Sequence, residues 1–333
     1  MIMDISQPRI SLLLFFSIAL IFNAYIIAND KPENEITMSD AQQILKQADE
    51  IFKSRKYEES RDYYLKVLDE AEKTNNLSDQ TEALAMIART YLILDDITSG
   101  YPWLEKAKKA ADFDQPLGWS RFMGVKGRFL WKEEKLDEAT VIFENMYDYC
   151  SERKLHDRAI DAAHMVAITG DQETQVIWAY KAINEAEAGG LESWLGPLWN
   201  NLGATLEEME RFYESLEAYL KARNYHYKHG NDFNKAIADW AVGHAYVNIG
   251  DIENASKWIN PVLDKFIAMD EGEFIGFTYR EMGEIELAKE NFSQAHDYFV
   301  RAEEKLKEVK MPKWNPDGYQ KILNRIDETQ KNK

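Results

Sequence analysis

Arginine, histidine, asparagine and tryptophan recur at two fixed offsets from a row of small residues, and these are the side chains here best suited to chemistry. The small residues are Ala48, Ala88, Gly127, Ala163, Gly203, Gly243 and Gly283, separated by 40, 39, 36, 40, 40 and 40 positions. Three positions before them stand Leu45, Ala85, Gly124, Ile160, Asn200, Trp240 and Arg280. One position after them stand Asp49, Arg89, Arg128, His164, Ala204, His244 and Glu284. On a chain of net charge −18, these columns hold three Arg and two His against one Asp and one Glu. A guanidinium fork matches a carboxylate, an asparagine amide both donates to and accepts from a peptide bond, and an indole gives a flat apolar anchor. That chemistry is recognition of a ligand, not bond-making.

Motifs for bond-making are missing. The chain has no phosphate-binding glycine loop, no HExxH, no CxxC and no Gly-x-Ser-x-Gly elbow. His226 and His229 have no third ligand and stand just before Gly230. Their expected role is to cap a helix C-terminus, where a protonated imidazole meets the negative end of the dipole. The pairs Glu207-Glu208 and Glu133-Glu134 precede expected turns and are taken as solvated faces, not as an acid/base couple. Cys150 is the single cysteine, so it makes no internal disulfide and is expected to be a small buried hydrophobe. No catalytic residue, metal or cofactor is expected, and the chain is not expected to be an enzyme. The acidic balance argues against nucleic acid as partner, since phosphates need Lys and Arg.

Helices must position these columns. In the stretch WNNLGATLEEMERFYESLEAYLKA, bulky Trp199, Leu202 and Leu206 surround Gly203, and Ser215, Tyr219 and Ala222 follow it at fixed spacing. Similar frames surround the other six small residues, with Glu286 and Gln175 as departures. The spacing resembles the tetratricopeptide repeat, a helix–turn–helix module of ~34 residues, here lengthened. That resemblance implies an all-α, right-handed superhelical solenoid of about seven repeats over residues 39–310. Residues 311–333 would form a C-terminal capping helix and tail.

The resemblance also implies that the A helices line a concave groove for a protein or peptide partner. Arg89, Arg128, Trp131, His164, Asn200, Trp240, His244 and Arg280 are then the candidate partner-binding residues. Because the columns lie beside the A–B packing stripe, truncating them is expected to spare stability. The Lys/Asn carboxylate clamp of chaperone-binding members is not reproduced. A second reading makes Trp131, Trp240, Arg128, His164 and His244 the lining of a closed pocket for a small anion, as in a sensory module. DAAHMVAI, WLGPLWNNLG and YREMGEIELA also resemble bacterial repeat proteins of unassigned function, over roughly residues 120–325.

Hydrophobic residues make up 45% of the chain, enough to fill a shared repeat core. Residues 10–28 are an apolar run broken only by Ser11, Ser17 and Asn23. Its length approaches the ~20 residues that span a bilayer. Residues 1–28 are accordingly expected to be a signal peptide, cut after Ala28, or a membrane anchor, with 29–38 as linker. Either would place the repeats on the exported side: bacterial periplasm, secreted, or tethered to the inner membrane, with membrane contact through this segment alone. Gly189-Gly190 is the most flexible joint expected, and Gly170 and Gly250 are expected to end A helices in the left-handed conformation.

Overall fold

The computed structural model describes residues 39–333, so the apolar run and linker expected over 1–38 lie outside the described residues. The described chain forms two compact units, one ending at Leu191 and the other spanning Glu192–Lys333. The boundary follows Gly190, which adopts a left-handed φ of +66°.

The first unit contains α1 (Asp40–Lys53), α2 (Tyr57–Lys73), α3 (Leu77–Ile93), α4 (Ile97–Ala110), α5 (Pro116–Lys132), α6 (Leu136–Glu152), α7 (His156–Thr169) and α8 (Gln172–Ala188). The second contains α9 (Glu192–Glu208), α10 (Phe212–His229), α11 (Asp232–Asn248), α12 (Ile252–Ala268), α13 (Gly272–Ala288), α14 (Phe292–Glu308), the single turn α15 (Met311–Trp314) and α16 (Pro316–Asn332). Odd-numbered helices α1 to α13 are the A helices and the even-numbered helices that follow them are their B partners.

Short polar residues start several of these helices. Ser39 and Gln42 form a reciprocal capping box at α1, and Asp171, Asn231 and Asn315 each accept from an amide in the first turn of their helices. The helices end on a recurring three-residue turn. At the α1–α2 turn, Arg55 takes a left-handed φ of 62° and the Lys56 amide bonds back to the Ile51 carbonyl. That six-to-one closure satisfies carbonyls the helix leaves unpaired. Left-handed residues recur at Asn75, Asp95, Glu134, Lys154, Glu210, Asp270 and Glu290. Gly250 follows this pattern at φ +78°, whereas Gly170 is extended at φ −90° and ψ 170°. Pro102, expected in the first turn of α4, lies further inside it because the helix already begins at Ile97.

Small residues on the A helices let the B helices approach closely. A Cβ added at Gly203 would stand 2.8 Å from the Tyr219 ring, one at Gly243 2.7 Å from Ile259, and one at Gly283 2.6 Å from Phe299. Each contact joins residues sixteen apart in sequence, so the spacing is a record of A–B packing. Tyr219, Ile259 and Phe299 are all buried. In the second unit Tyr219 and Ile259 join a core that runs through Val242, Phe266, Phe274 and Leu306.

Candidate functional site

Residues four apart on a helix lie one above the other on the same face. On α9 that face carries Asn200 and Ala204, on α11 Trp240 and His244, and on α13 Arg280 and Glu284. All six line one cleft of ≈ 810 Å³ in the second unit. Ile237, Phe274, Phe277 and Ile322 supply its apolar surface, and α16 walls it with Lys321 and Arg325. Arg325 Nε donates to Glu284 Oε1 at 2.8 Å, tying α16 to α13.

His244 is the electrostatic centre of the cleft. Its Nε2 lies 2.8 Å from Glu207 Oε1 and its Nδ1 3.1 Å from Glu281 Oε1. The Nδ1 contact is an ion pair without hydrogen-bond alignment. Burial by itself would lower the imidazole pKa, but Glu207 and Glu281 outweigh it and raise the value to about 10. His244 is therefore a cation at neutral pH. Burial would raise the pKa of Glu281, yet Arg280 and His244 hold it down to about 2. Arg280 donates through Nε to Glu281 at 2.8 Å and stacks over Phe277 at 5.1 Å.

The charges of His244, Arg280, Glu281 and Glu284 are thus paired within the chain, and the Trp240 indole is not. Asn200 is 8% exposed and lines the same cleft. Trp240 is 9% exposed, and its Nε1–H is buried without a partner. Buried polar groups are ordinarily satisfied, so the unpaired indole N–H marks where a ligand would bond, with the Asn200 amide lining the same cleft. Across the lining, Glu207, Glu208, Glu281, Glu284, Asp317 and Glu328 oppose His244, Arg280, Lys321 and Arg325. The cleft is acidic on balance, in contrast to the basic excess in the two offset columns.

The remaining candidates lie in the first unit. Arg128 binds Asp161 Oδ1 at 2.6 Å and the Gly124 carbonyl at 3.1 Å. Asp161 feels the charges of Arg128, Arg89 and His164, so these three gather around one carboxylate. His164 is pushed down to about 4 by burial, so it is neutral at pH 7. Trp131 is half-buried near the end of α5. The five residues of the small-anion pocket therefore divide between the units, Trp131, Arg128 and His164 in one, Trp240 and His244 in the other.

Several expectations are corrected by packing. Trp240 belongs to the hydrophobic core of the second unit, with Phe274 and Phe277 centroids 5.8 and 6.1 Å from its ring. Its column lies between neighbouring A helices, so it is not free of the core. Glu207 is no solvated face: its side chain is 15% exposed and bound to His244. His226 is 3% exposed and lowered to about 4 by burial, which makes it a neutral core residue beside Gly196 and not a charged cap. His229 pairs with Glu192 at 2.9 Å. Neither Glu281 nor Asp161 belongs to the two offset columns, because each stands two positions before a small residue. The sequence signal for them is an acidic residue beside a column cation, or three or four positions from it. Among the described residues, no group of three His, Cys, Asp or Glu side chains is placed to hold a metal ion.

No family model matches the chain, and no curated protein matches it. Among solved structures it is similar to a signal transduction ATPase with numerous domains from Pyrococcus horikoshii that has a tetratricopeptide repeat sensor. The TM-score is 0.66 at 15% identity, covering 86% of this chain and 44% of that one. It is also similar to the apo form of RapI, with a TM-score of 0.67 at 13% identity over 86% of this chain and 85% of that one. The chain thus spans less than half the length of the first of these. At such identities the likeness concerns the fold, which is an all-α tetratricopeptide-repeat solenoid fold without strands among the described residues.

Proposed function

We propose that the second unit binds a peptide segment of a partner protein in the cleft formed by α9, α11, α13 and α16. One observation carries this reading. Successive A helices present Asn200, Trp240 and Arg280 at the same offset into a single cleft, with the Trp240 Nε1–H buried and unpaired. An extended chain has a carbonyl and an amide to offer at each residue, and an acceptor is what that N–H lacks. The six carboxylates facing four cations favour a segment that is neutral or basic over an acidic one. The sensor role of the repeats in the similar Pyrococcus horikoshii ATPase is in keeping with recognition.

The role is that of a scaffold or recognition module with no catalytic step. Export, by cleavage after Ala28 or anchoring through residues 10–28, is part of the proposal and rests on the sequence alone. Among the described residues no helix is long and apolar enough to cross a membrane. Fractionation of cells making the full chain tests the location, and recovery in the cytosol would rule out export. For the cleft, a random heptapeptide library displayed on phage is selected on the full chain. Selected sequences should be neutral or basic and lose binding when Asn200 is changed to Ala. Acidic winners indifferent to that change would overturn the reading.

A further inference from the structure

The first unit carries a cluster of buried ion pairs with one guanidinium left outside it. Arg121 donates to Asp49 at 2.7 Å and to Glu82 at 3.0 Å, Arg158 donates to the same Glu82 at 2.8 Å, and Arg128 donates to Asp161 at 2.6 Å. The Asp49 carboxylate takes a further bond from the Tyr64 hydroxyl at 2.7 Å. Three carboxylates therefore serve three guanidinium groups. Arg89 is the fourth guanidinium, and it has no ion pair and no hydrogen bond to the described chain. Its Nε is buried without a partner, and its guanidinium carbon lies over the face of Phe52, 5.0 Å away.

Little nearby relieves this charge. Arg128 and Arg121 repel it, and Asp161 and Tyr64 offset burial and that repulsion only in part. Burial first, and then Arg128, lower the Arg89 pKa to about 10, which leaves it a cation at neutral pH. His164, which also feels Asp161, is neutral and adds no counter-charge. A buried charge is ordinarily retained with a partner, because desolvation without one is costly. The group is also reachable: Arg89 is partly exposed, and the Asp161 side chain is 28% exposed.

We propose that Arg89, with Arg128 and Arg121 nearby and His164 sharing Asp161, is the heart of an oxyanion site in residues 39–191, taking a carboxylate or phosphate group from a ligand. The planar fork of Arg89 presents its donors to two oxygens at once. His164, being neutral, has one ring N–H to donate as well. The Gly124 carbonyl keeps Arg128 in place by accepting from its Nη1 at 3.1 Å. The site does not rest on the peptide cleft of the second unit, and each can fail without the other.

Calorimetric titration of the full chain tests it, at constant ionic strength with chloride as the balancing anion. The probes are sodium phosphate, sodium acetate and a capped Asp-Glu dipeptide. Saturable binding of at least one is expected, weakened about 10-fold or more by Arg89→Met, as for loss of charge-assisted hydrogen bonds. Arg301→Met, in the second unit, should leave that affinity unchanged. Which probe binds identifies the source: phosphate or acetate indicates a free anion, and the dipeptide alone indicates an acidic peptide side chain. Thermal melts separate binding from structure. In chloride, Arg89→Met should melt no lower than the parent, because the guanidinium it removes is unpaired. In the bound anion, the parent alone should gain in Tm. If Arg89→Met does not fold, Arg89→Lys replaces it and should bind the same probe more weakly. Absence of saturable heat with all three probes, or affinity undiminished by both Arg89 variants, would overturn the proposal.

Discussion

The Trp240 indole and the His244 imidazole lie parallel, 5.0 Å between centroids and 5° between planes. The two residues share one face of α11, so the apolar anchor and the charged centre of the cleft are a single stacked unit. The imidazolium is held by Glu207 on α9 and Glu281 on α13, which makes it a bolt across three A helices.

Stability should therefore depend on pH in a defined sense. The folded pKa of His244 is about 10, above its ordinary 6.5, so the folded state holds this proton more tightly than the unfolded chain. Its contribution is full below about pH 6.5 and lost as pH rises towards 10. Glu281 is depressed from 4.5 to about 2, so its contribution is present above pH 4.5 and lost on acidification towards 2. Urea melts across pH should show a plateau between these limits and a decline above pH 6.5 that His244→Gln flattens. An unchanged slope in that variant would contradict the ion-pair assignment.

Core packing makes a second prediction. With Tyr219 already 2.8 Å from a Cβ at position 203, Gly203→Leu must push α9 and α10 apart. Overpacking of this kind costs roughly 1–3 kcal/mol or more. Hydrogen exchange should rise in both helices and in α11, which packs on α10. Wild-type exchange in Gly203→Leu would show that the sixteen-residue contact is not what holds the pair together.

Cys150 gives a third. It is fully buried, and burial pushes its thiol up to about 12. The thiolate is the reactive form, so a thiol-specific reagent should label the native chain only through unfolding. Labelling should be slow in buffer and immediate in denaturant. Fast labelling of the native protein would place Cys150 elsewhere.

The repeat fold is legible in the amino-acid sequence, and the reason is steric. Helix pairs touch where a small residue faces a large one, and Gly203 with Tyr219, or Gly283 with Phe299, write that contact into the sequence at a constant interval. The turns are legible in part: left-handed positions such as Arg55 and Glu210 carry ordinary side chains, because the capping bonds, not glycine, define them. Both offset columns also bring residues from three repeats into one cleft of the second unit. What spacing does not carry is the partnering of each charge. Arg280 and His244 look like free donors in a column, yet Glu281 and Glu207 reach them from a neighbouring position and a neighbouring helix. Pairing of that kind depends on side-chain direction and on which helices adjoin, and one-dimensional spacing holds neither. Trp240 shows the same limit, since a residue off the A–B stripe can still be buried between A helices. Its truncation to Ala should cost about 3–5 kcal/mol of stability, as large aromatic deletions in cores do.

The measurement that bears most directly on the peptide cleft pairs affinity with melting temperature for two narrow variants. A library-selected peptide is titrated calorimetrically into the full chain, Asn200→Ala and Trp240→Phe. Asn200→Ala removes an amide that lines the cleft, and Phe keeps the ring of Trp240 while removing its unpaired N–H. Each variant should therefore melt close to the parent, while affinity falls by about 1–3 kcal/mol per lost hydrogen bond. Undiminished affinity in both variants, with the peptide still bound, would show that the amide and the unpaired indole do not meet the ligand, and the cleft would not be the recognition site.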